Sequence, residues 1–233
     1  MKLIKVYSAL RWLGRQALPL RCLACDSPGA DGLDLCRACH ATLPWNDHAC
    51  PHCALPLAAD GPADHCAECL RERPRQAGAE ATFLYAPPID RLLLRFKFHH
   101  DLAAGRLLSQ LMLQRVPGFL DGPLVAMPLH RSRLRTRGYN QALELARPLA
   151  RHSGCPLWNG LTRSRQTTAQ STLDALERRH NLRGAFAAAR HPPHGLTLVD
   201  DVMTTGATTD AALAALQREG AGPMHVWVCA RVP

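Results

Sequence analysis

The sequence predicts an α/β protein in which a parallel sheet flanked by helices follows a small cysteine-rich module. Three observations indicate this. Eight of the ten cysteines form C-x-x-C pairs before residue 70, strand-like apolar runs alternate with helical patterns after residue 80, and one strand–loop–helix segment begins with two adjacent aspartates. Alternating strands and helices favour a parallel sheet covered on both faces.

Charge divides the chain in the same way. Of the 233 residues, 47% are hydrophobic and 20% charged, which excludes global disorder. Residues 1–80 carry nine basic and nine acidic side chains, and residues 81–233 carry 19 and 10, hence the whole net charge of +9. We therefore expect four parts: an N-terminal helical segment (1–21), a cysteine module (22–70), a linker (71–80) with a hinge near 71–78, and a basic α/β domain (81–233).

The opening segment does not have the pattern of a signal peptide or a membrane span. Lys2, Lys5, Arg11 and Arg15 interrupt its apolar residues, and the chain has no uncharged apolar run of about 18 residues. We expect a cytoplasmic protein without stable membrane insertion.

The cysteine pairs predict two structural zinc ions. A two-residue spacer lets both thiolates of a tight turn point at one ion, and two such turns complete a tetrahedral sulfur site. The surrounding residues are polar and rich in glycine and proline, too poor in apolar side chains to fold without a metal or a crosslink. The ligands are expected to be Cys22, Cys25, Cys36, Cys39, Cys50, Cys53, Cys66 and Cys69.

Other interpretations of these cysteines are weaker. Disulfides need an oxidising compartment, and a redox C-x-x-C usually occurs once beside a βαβ pattern. Sequential pairing of the turns is simplest, and an interleaved arrangement stays open. Nearby histidines could replace a thiolate, but eight cysteines already suffice for two sites. Closed four-sulfur sites leave no open coordination position, which indicates an architectural or binding role.

In the second domain, strands are expected near 124–128, 156–161, 196–200 and 224–229. Helices are expected near 90–115, 139–152 and 208–219.

The segment from 195 to 208, GLTLVDDVMTTGAT, indicates the chemistry. Asp200 and Asp201 end a buried strand, and a loop of small residues then leads into a helix. Backbone N–H groups and hydroxyls at a helix N-terminus suit a phosphate, and ligands of parallel sheets bind beyond the carboxyl ends of strands. The loop contains no lysine, which argues against a nucleoside-triphosphate P-loop. Two carboxylates just before a loop that can bind phosphate suggest a ribose 5′-phosphate, whose hydroxyls would bind the carboxylates and whose phosphate would bind the loop. The alternative is that Asp and Thr merely cap the helix.

VDDVMTTGAT resembles the phosphoribosyl pyrophosphate motif of type I phosphoribosyltransferases. The whole chain is similar to the ComF/GntX family, which joins a double zinc ribbon to such a domain. The similarity extends from the C-x-x-C pairs through LLLRFKFHHD (92–101), MPLHRSRLRTRGYNQ (127–141), RSRQTTAQ (163–170) and RHNLRGAF (179–186). The resemblance implies a type I phosphoribosyltransferase-like sheet. The chain departs from the family pattern at Tyr139, Met203 and His99–His100, and only the histidines could affect the neighbouring Lys97.

The resemblance also implies residue roles. Asp200 and Asp201 would hold the ribose hydroxyls, and the strand ending at Pro128, Leu129 and His130 would occupy the place of the diphosphate loop. A flexible loop beginning at Arg163 and Arg165 would close over the ribose, with Gln170 as a further working residue and Arg179 and Asn181 anchoring its return. The substrate-binding residues would be Thr204, Thr205, Gly206, Ala207, Thr208, Pro128, Leu129, Arg131, Arg133, Arg135, Arg137 and Lys97.

Four arginines in the seven residues 131–137 suit a diphosphate through paired donors, although such a run can also be a solvated face or a nucleic-acid patch. Mg²⁺, arginines and backbone dipoles would stabilise departing pyrophosphate.

Three functions fit the sequence. The first is a phosphoribosyltransferase whose acceptor the sequence does not identify. The second, implied by the ComF resemblance, is a competence-type protein that binds single-stranded DNA during uptake. The third is a sensor that binds phosphoribosyl pyrophosphate without turnover. Five Phe and three Tyr offer few platforms for base stacking, which disfavours an extended single-strand groove.

Overall fold

A computed structural model describes residues 19–58, 64–165, 182 and 184–233. The chain divides into two compact units, Met1–Leu43 and Pro44–Pro233. The first contains the first two cysteine pairs and a short helix, α1 (Arg37–Ala41), whose N-cap is Cys36. The second contains the other two cysteine pairs and the whole α/β domain. The boundary between the units therefore falls between the two expected zinc sites.

The second unit is built on a four-stranded parallel sheet. Its strands in chain order are β1 (Gly78–Leu84), β2 (Leu124–Ala126), β5 (Thr197–Met203) and β6 (His225–Arg231), and they lie side by side in the order β1-β6-β5-β2. Register pairs Val199 with Trp227 across β5 and β6, and Val125 with Leu198 across β2 and β5. A separate antiparallel pair is formed by β3 (Leu161–Arg163) and β4 (Phe186–Ala188).

The helices of this unit, in chain order, are α2 (Ala67–Arg71), α3 (Ile89–Phe98), α4 (Leu102–Met112), α5 (Arg131–Arg137), α6 (Gln141–Ser153) and α7 (Ala207–Arg218). Helix α2 follows Cys66 of the fourth cysteine pair, and α4, α6 and α7 pack against strands. On one face of β6, Val226 and Val228 share a core cluster with Leu213 and Leu216 of α7. The alternate residue Trp227 points to the opposite face because strand side chains alternate, and it is fully buried. This arrangement confirms the expected parallel sheet flanked by helices.

Several elements differ from the expected ones. The helical pattern at 90–115 forms two helices, because His100 adopts a left-handed backbone (φ 54°) and Asp101 caps α4 by accepting from the Ala104 amide at 3.0 Å. The stretch 156–161 contributes only a bridge from Leu157 to Leu124 and the first residue of β3.

Strand β1 begins inside the segment expected to be a linker, and α5 forms over residues for which no helix was expected. The glycine and alanines of β1 gave no strand signal. Within the described ranges, no helix has both the length and the apolar character needed to cross a bilayer.

Candidate functional site

The acidic pair occupies the fourth and fifth of the seven residues of β5, a central strand of the sheet, and Val202 and Met203 continue this strand beyond its expected end at residue 200. Asp200 is paired in register with Val228 of β6, and β2 ends on the other side of β5. The Met127 amide extends the pairing beyond β2 by donating to the Val199 carbonyl at 2.8 Å. Pro128 and Leu129, both half-buried, therefore follow β2 at the same edge of the sheet.

Lys97 contacts the acidic pair directly. Its Nζ lies 3.0 Å from Asp201 Oδ1, and the two side chains are only 20% and 12% exposed. The chain has three lysines, and the other two are Lys2 and Lys5, outside the described residues. A partly buried ion pair of this kind is held by the strand on one side and by α3 on the other. The structure therefore brings the expected Lys97 to the expected aspartates.

Asp200 lies in an environment that disfavours its charge. Burial and the neighbouring Asp201 carboxylate raise the pKa of Asp200 to about 7, although the Asp201 amide, Lys97 and Arg163 act in the opposite direction. Its Oδ1 accepts from the Asp201 amide at 2.8 Å. A carboxyl group that titrates near neutrality beside a second carboxylate is typical of a functional site.

Arg163, at the end of β3, belongs to the same electrostatic cluster. Burial lowers the pKa of Arg163, the nearby Arg133 lowers it further, and Asp200 raises it. Its guanidinium carbon lies 5.3 Å from the centre of the Phe186 ring. A half-buried guanidinium between an acid and another arginine is suited to an anionic ligand. Arg165 is exposed, and the expected loop residues Gln170, Arg179 and Asn181 lie outside the described residues.

The loop after the acidic pair leads into the N-terminus of α7. Gly206, the N-cap, has a left-handed backbone (φ 74°) and offers no side chain to cap the helix. The Ala207 amide donates to Thr205 Oγ1 at 3.5 Å, and Thr204 and Thr205 are exposed while Thr208 is half-buried. Amide groups at such a terminus carry a positive partial charge that attracts anions.

The arginine run forms α5, so its members divide by helical period and do not alternate as on a strand. Arg133 and Arg137 share one side and are half-buried, whereas Arg131 and Arg135 are exposed. Burial and the charge of Arg137 lower the pKa of Arg133. His130 caps the helix, with its Nδ1 accepting from the Ser132 amide at 3.2 Å. Of the four arginines, Arg133 lies near enough to Arg163 to affect its pKa, whereas Arg137 contacts Phe98 and Gln141.

The segment Tyr139–Asn140, which follows α5, connects the parts of the site. The Tyr139 hydroxyl donates to the Phe96 carbonyl, one residue before Lys97, and the two rings stack with centres 5.4 Å apart. Asn140 Nδ2 donates to the Met127 carbonyl at 3.0 Å, while its Oδ1 caps α6. These two side chains fix the Lys97 helix and the end of β2 relative to one another. The sequence motif quoted above contains both residues, but their positions in the motif did not indicate this role.

Eight cysteines form two clusters of four. Cys22, Cys25, Cys36 and Cys39 make the first cluster, and Cys50, Cys53, Cys66 and Cys69 make the second, with the sulfurs of each cluster within 4.8 Å of one another. Pairing is sequential, and within the described part of the chain both clusters contain only cysteine. Four convergent thiols are the donor set of structural zinc, and the two-zinc expectation agrees with this geometry.

One residue at this edge of the sheet was not anticipated. Arg231, the last residue of β6, is only 7% exposed, and its guanidinium donates to backbone carbonyls of the Met203–Thr204 loop and of Cys53. Arg231 ends a largely apolar strand, and nothing in the neighbouring sequence predicts that its side chain bonds to these carbonyls.

Known proteins are similar both to the cysteine module alone and to most of the chain. The double zinc ribbon domain family matches residues 13–70. A DNA utilization protein, YhgH, of Salmonella typhimurium is 35% identical over 226 residues, covering 92% of this chain and 98% of the relative. Competence protein F of Haemophilus influenzae is 32% identical over 84% of this chain and 90% of its own length. Competence protein ComFC of Bacillus subtilis is 28% identical, over 86% and 90%.

Proposed function

Because this chain belongs to the ComF family, we propose that it binds phosphoribosyl pyrophosphate with Mg²⁺ at the carboxyl end of its parallel sheet. One observation carries the proposal. Two adjacent carboxylates in the second half of β5 lie a few residues before a helix N-terminus whose cap residue, Gly206, offers no side chain. The carboxylates would accept from the 2′- and 3′-hydroxyls of a ribose, and the loop amides and the hydroxyls of Thr204, Thr205 and Thr208 would bind its 5′-phosphate.

The diphosphate would lie toward β2 and α5. Pro128 and Leu129 leave the sheet beside the acidic pair, and the charge of Arg133 is close enough to lower the pKa of Arg163. Two guanidinium groups that repel one another in this way favour a multiply charged anion between them. Mg²⁺ would accompany the ligand because it binds diphosphate and carboxylate oxygens.

Catalysis would follow from this placement. In a transfer, the bond between the anomeric carbon and the pyrophosphate oxygen breaks, a nucleophilic acceptor forms a new bond to that carbon, and the acceptor's proton is lost. Negative charge grows on the departing pyrophosphate, where arginines and backbone dipoles stabilise it. Positioning supplies the remaining rate enhancement, and no covalent intermediate with the protein is needed.

Isothermal titration of the full chain with phosphoribosyl pyrophosphate and Mg²⁺ tests the proposal. Asp201→Asn should weaken binding about ten- to a hundredfold, since it replaces a charge-assisted hydrogen bond by a neutral one. Asp210→Asn is the matched control, because Asp210 also lies near the loop but is exposed and paired with Arg75. Wild-type chain that does not bind the ligand, or equal affinities in both variants, would refute the assignment.

A screen of acceptor bases for pyrophosphate release then separates two outcomes. Release with one acceptor identifies a transferase, whereas tight binding without release over the whole screen identifies a sensor.

Single-stranded DNA is a second candidate ligand, favoured by the names of the relatives and by one surface feature. Phe98 is 59% exposed, and the Arg137 guanidinium carbon lies 5.3 Å from its ring centre. The exposed Arg131 and Arg135 lie on the same helix as Arg137. An exposed aromatic ring for base stacking beside cations for phosphates is the usual composition of a single-strand site.

Fluorescence anisotropy with a labelled oligonucleotide at physiological salt tests this candidate. Phe98→Ala and Arg135→Ala should lower affinity, and Arg135→Ala should also reduce the salt slope by roughly 0.7. Arg151→Ala, an exposed arginine on α6, is the control. We expect Arg133→Ala to weaken phosphoribosyl pyrophosphate and Arg135→Ala to leave it unchanged. The opposite pattern would show that the exposed side of α5, and not Arg133, binds phosphoribosyl pyrophosphate.

A further inference from the structure

Arg231 joins the second cysteine cluster to the loop that we assign to the phosphate. Its Nε donates to the Cys53 carbonyl at 3.1 Å. Its Nη1 donates to the Met203 carbonyl at 3.3 Å and also to the carbonyls of Thr204 and Val232. One guanidinium therefore bonds to a metal-site turn and to both residues that open the phosphate loop.

Such a buried arginine is costly to the fold. Removing a guanidinium from water destabilises a protein unless its donors are satisfied, and burial lowers the pKa of Arg231. An apolar residue would pack at the end of β6 without that cost. The carbonyls around the guanidinium offset the penalty only when the cysteine turn and the loop hold their present positions. The side chain consequently makes the position of each segment depend on the other.

The turn that presents the Cys53 carbonyl is part of the sheet's own core. Cys50 and Ala54 are fully buried, and Ala54 belongs to the cluster that packs α7 against the sheet. The Ala79 amide of β1 donates to the Pro51 carbonyl at 2.8 Å, and Asn46 Nδ2 donates to the Ala54 carbonyl at 2.9 Å. A metal that closes this turn would therefore fix a rigid support for Arg231.

We propose that the second cysteine cluster, acting through Arg231, positions the phosphate-binding loop, while the first cluster has no part in ligand binding. This inference rests on the proposed function only where affinity for phosphoribosyl pyrophosphate is measured. The first cluster lies in the other compact unit, Met1–Leu43. The two similar metal sites thus have different roles: one stabilises its own ribbon, and the other sets the geometry of the ligand site. Arg231 is a positioning residue because it contacts the loop's carbonyls and leaves the loop's amides available for the ligand.

Hydrogen–deuterium exchange of the loop amides tests the coupling without any ligand. Arg231→Lys keeps the charge but loses the planar fork that reaches several carbonyls. We expect it to retain two zinc ions per chain, while the amides of 204–208 exchange about tenfold faster and the affinity for phosphoribosyl pyrophosphate falls about tenfold. Arg37→Lys, an exposed arginine between two cysteines of the first cluster, is the matched control and should change neither quantity.

Cysteine substitutions compare the effects of the two clusters on the loop. Cys69→Ala should accelerate exchange in the loop and Cys39→Ala should not, because only the second cluster contacts Arg231. The two variants are matched, since each removes the last cysteine of its cluster and both cysteines are half-buried. Equal loop exchange in Arg231→Lys and wild type, or equal acceleration by the two cysteine variants, would overturn the inference. If the wild-type chain does not bind phosphoribosyl pyrophosphate, the proposed function fails, yet the exchange measurements still decide whether the coupling exists.

Discussion

Replacing Asp200 with asparagine removes a carboxylate whose ionised form the folded chain disfavours. Burial and Asp201 raise the pKa of Asp200 from 3.8 to about 7. Asparagine has nearly the same shape, and its carbonyl oxygen can still accept from the Asp201 amide, as Asp200 does at 2.8 Å. The variant should therefore fold normally. It should be more stable than wild type wherever wild-type Asp200 is ionised, because asparagine carries no charge.

The sign and size of the effect follow from linkage. The folded state binds a proton at Asp200 more tightly than the unfolded state does, so wild-type stability falls as pH rises from about 4 and stops falling above about 7. Each pH unit in that window is worth about 1.4 kcal/mol. Between pH 5.5 and 8.5 the advantage of Asp200→Asn over wild type should grow by about 2 kcal/mol, equivalent to about 4–8 °C in Tm for a unit of this size.

Thermal melts followed by tryptophan fluorescence measure this quantity, since Trp45, Trp158 and Trp227 all lie in the second unit. Asp210→Asn, which removes an exposed carboxylate, corrects for any pH-dependent loss of zinc. The expected result is a Tm difference that widens with pH for Asp200→Asn alone. A difference that is constant from pH 5.5 to 8.5, or that narrows, would refute the electrostatic account.

Three further outcomes are expected. Chain purified under reducing conditions should contain about two zinc ions by colorimetric assay after denaturation, and disulfides across the C-x-x-C pairs would contradict this. Gly105→Ala should lower stability by about 1–3 kcal/mol in denaturant titrations, because its Cβ would lie 2.4 Å from the buried Phe96 ring, whereas Gly118→Ala, with open space around it, should be neutral. Relative to Asp200→Asn, wild-type affinity for phosphoribosyl pyrophosphate should fall as pH drops below 7, by about ten- to a hundredfold in total, because protonation of Asp200 replaces a charge-assisted hydrogen bond by a neutral one; identical pH profiles would contradict this role.

The features that could be predicted from sequence depend on short stretches of chain. A two-residue spacer between cysteines makes both thiols converge whatever surrounds them, so the two four-cysteine clusters follow from the pairs. The strand, loop and helix from Leu196 to Arg218 are likewise local, and their order places Asp200 and Asp201 in the second half of β5, shortly before the loop and α7. The parallel sheet follows from alternating strands and helices.

Other features depend on which distant residues pack together. The alternating arginines suggest a run of equivalent cations, but helix formation separates the half-buried Arg133 and Arg137 from the exposed pair. The small residues of β1 carry no pattern, and that strand forms because β6 and residues 44–46 bond to it. Tertiary contacts decide both results.

The sequence by itself determined the two four-cysteine clusters, strand β5 and the acidic pair within it, because each is encoded within a few covalently linked residues. Only the tertiary structure decided that Lys97 pairs with Asp201 and that Arg231 bonds to Cys53, which is 178 residues away in the chain. Contacts at such separation arise from packing of whole elements, and no local spacing restricts them. A buried cation needs several acceptors at once, and the fold alone brings the Cys53 turn and the Met203–Thr204 loop to the same guanidinium.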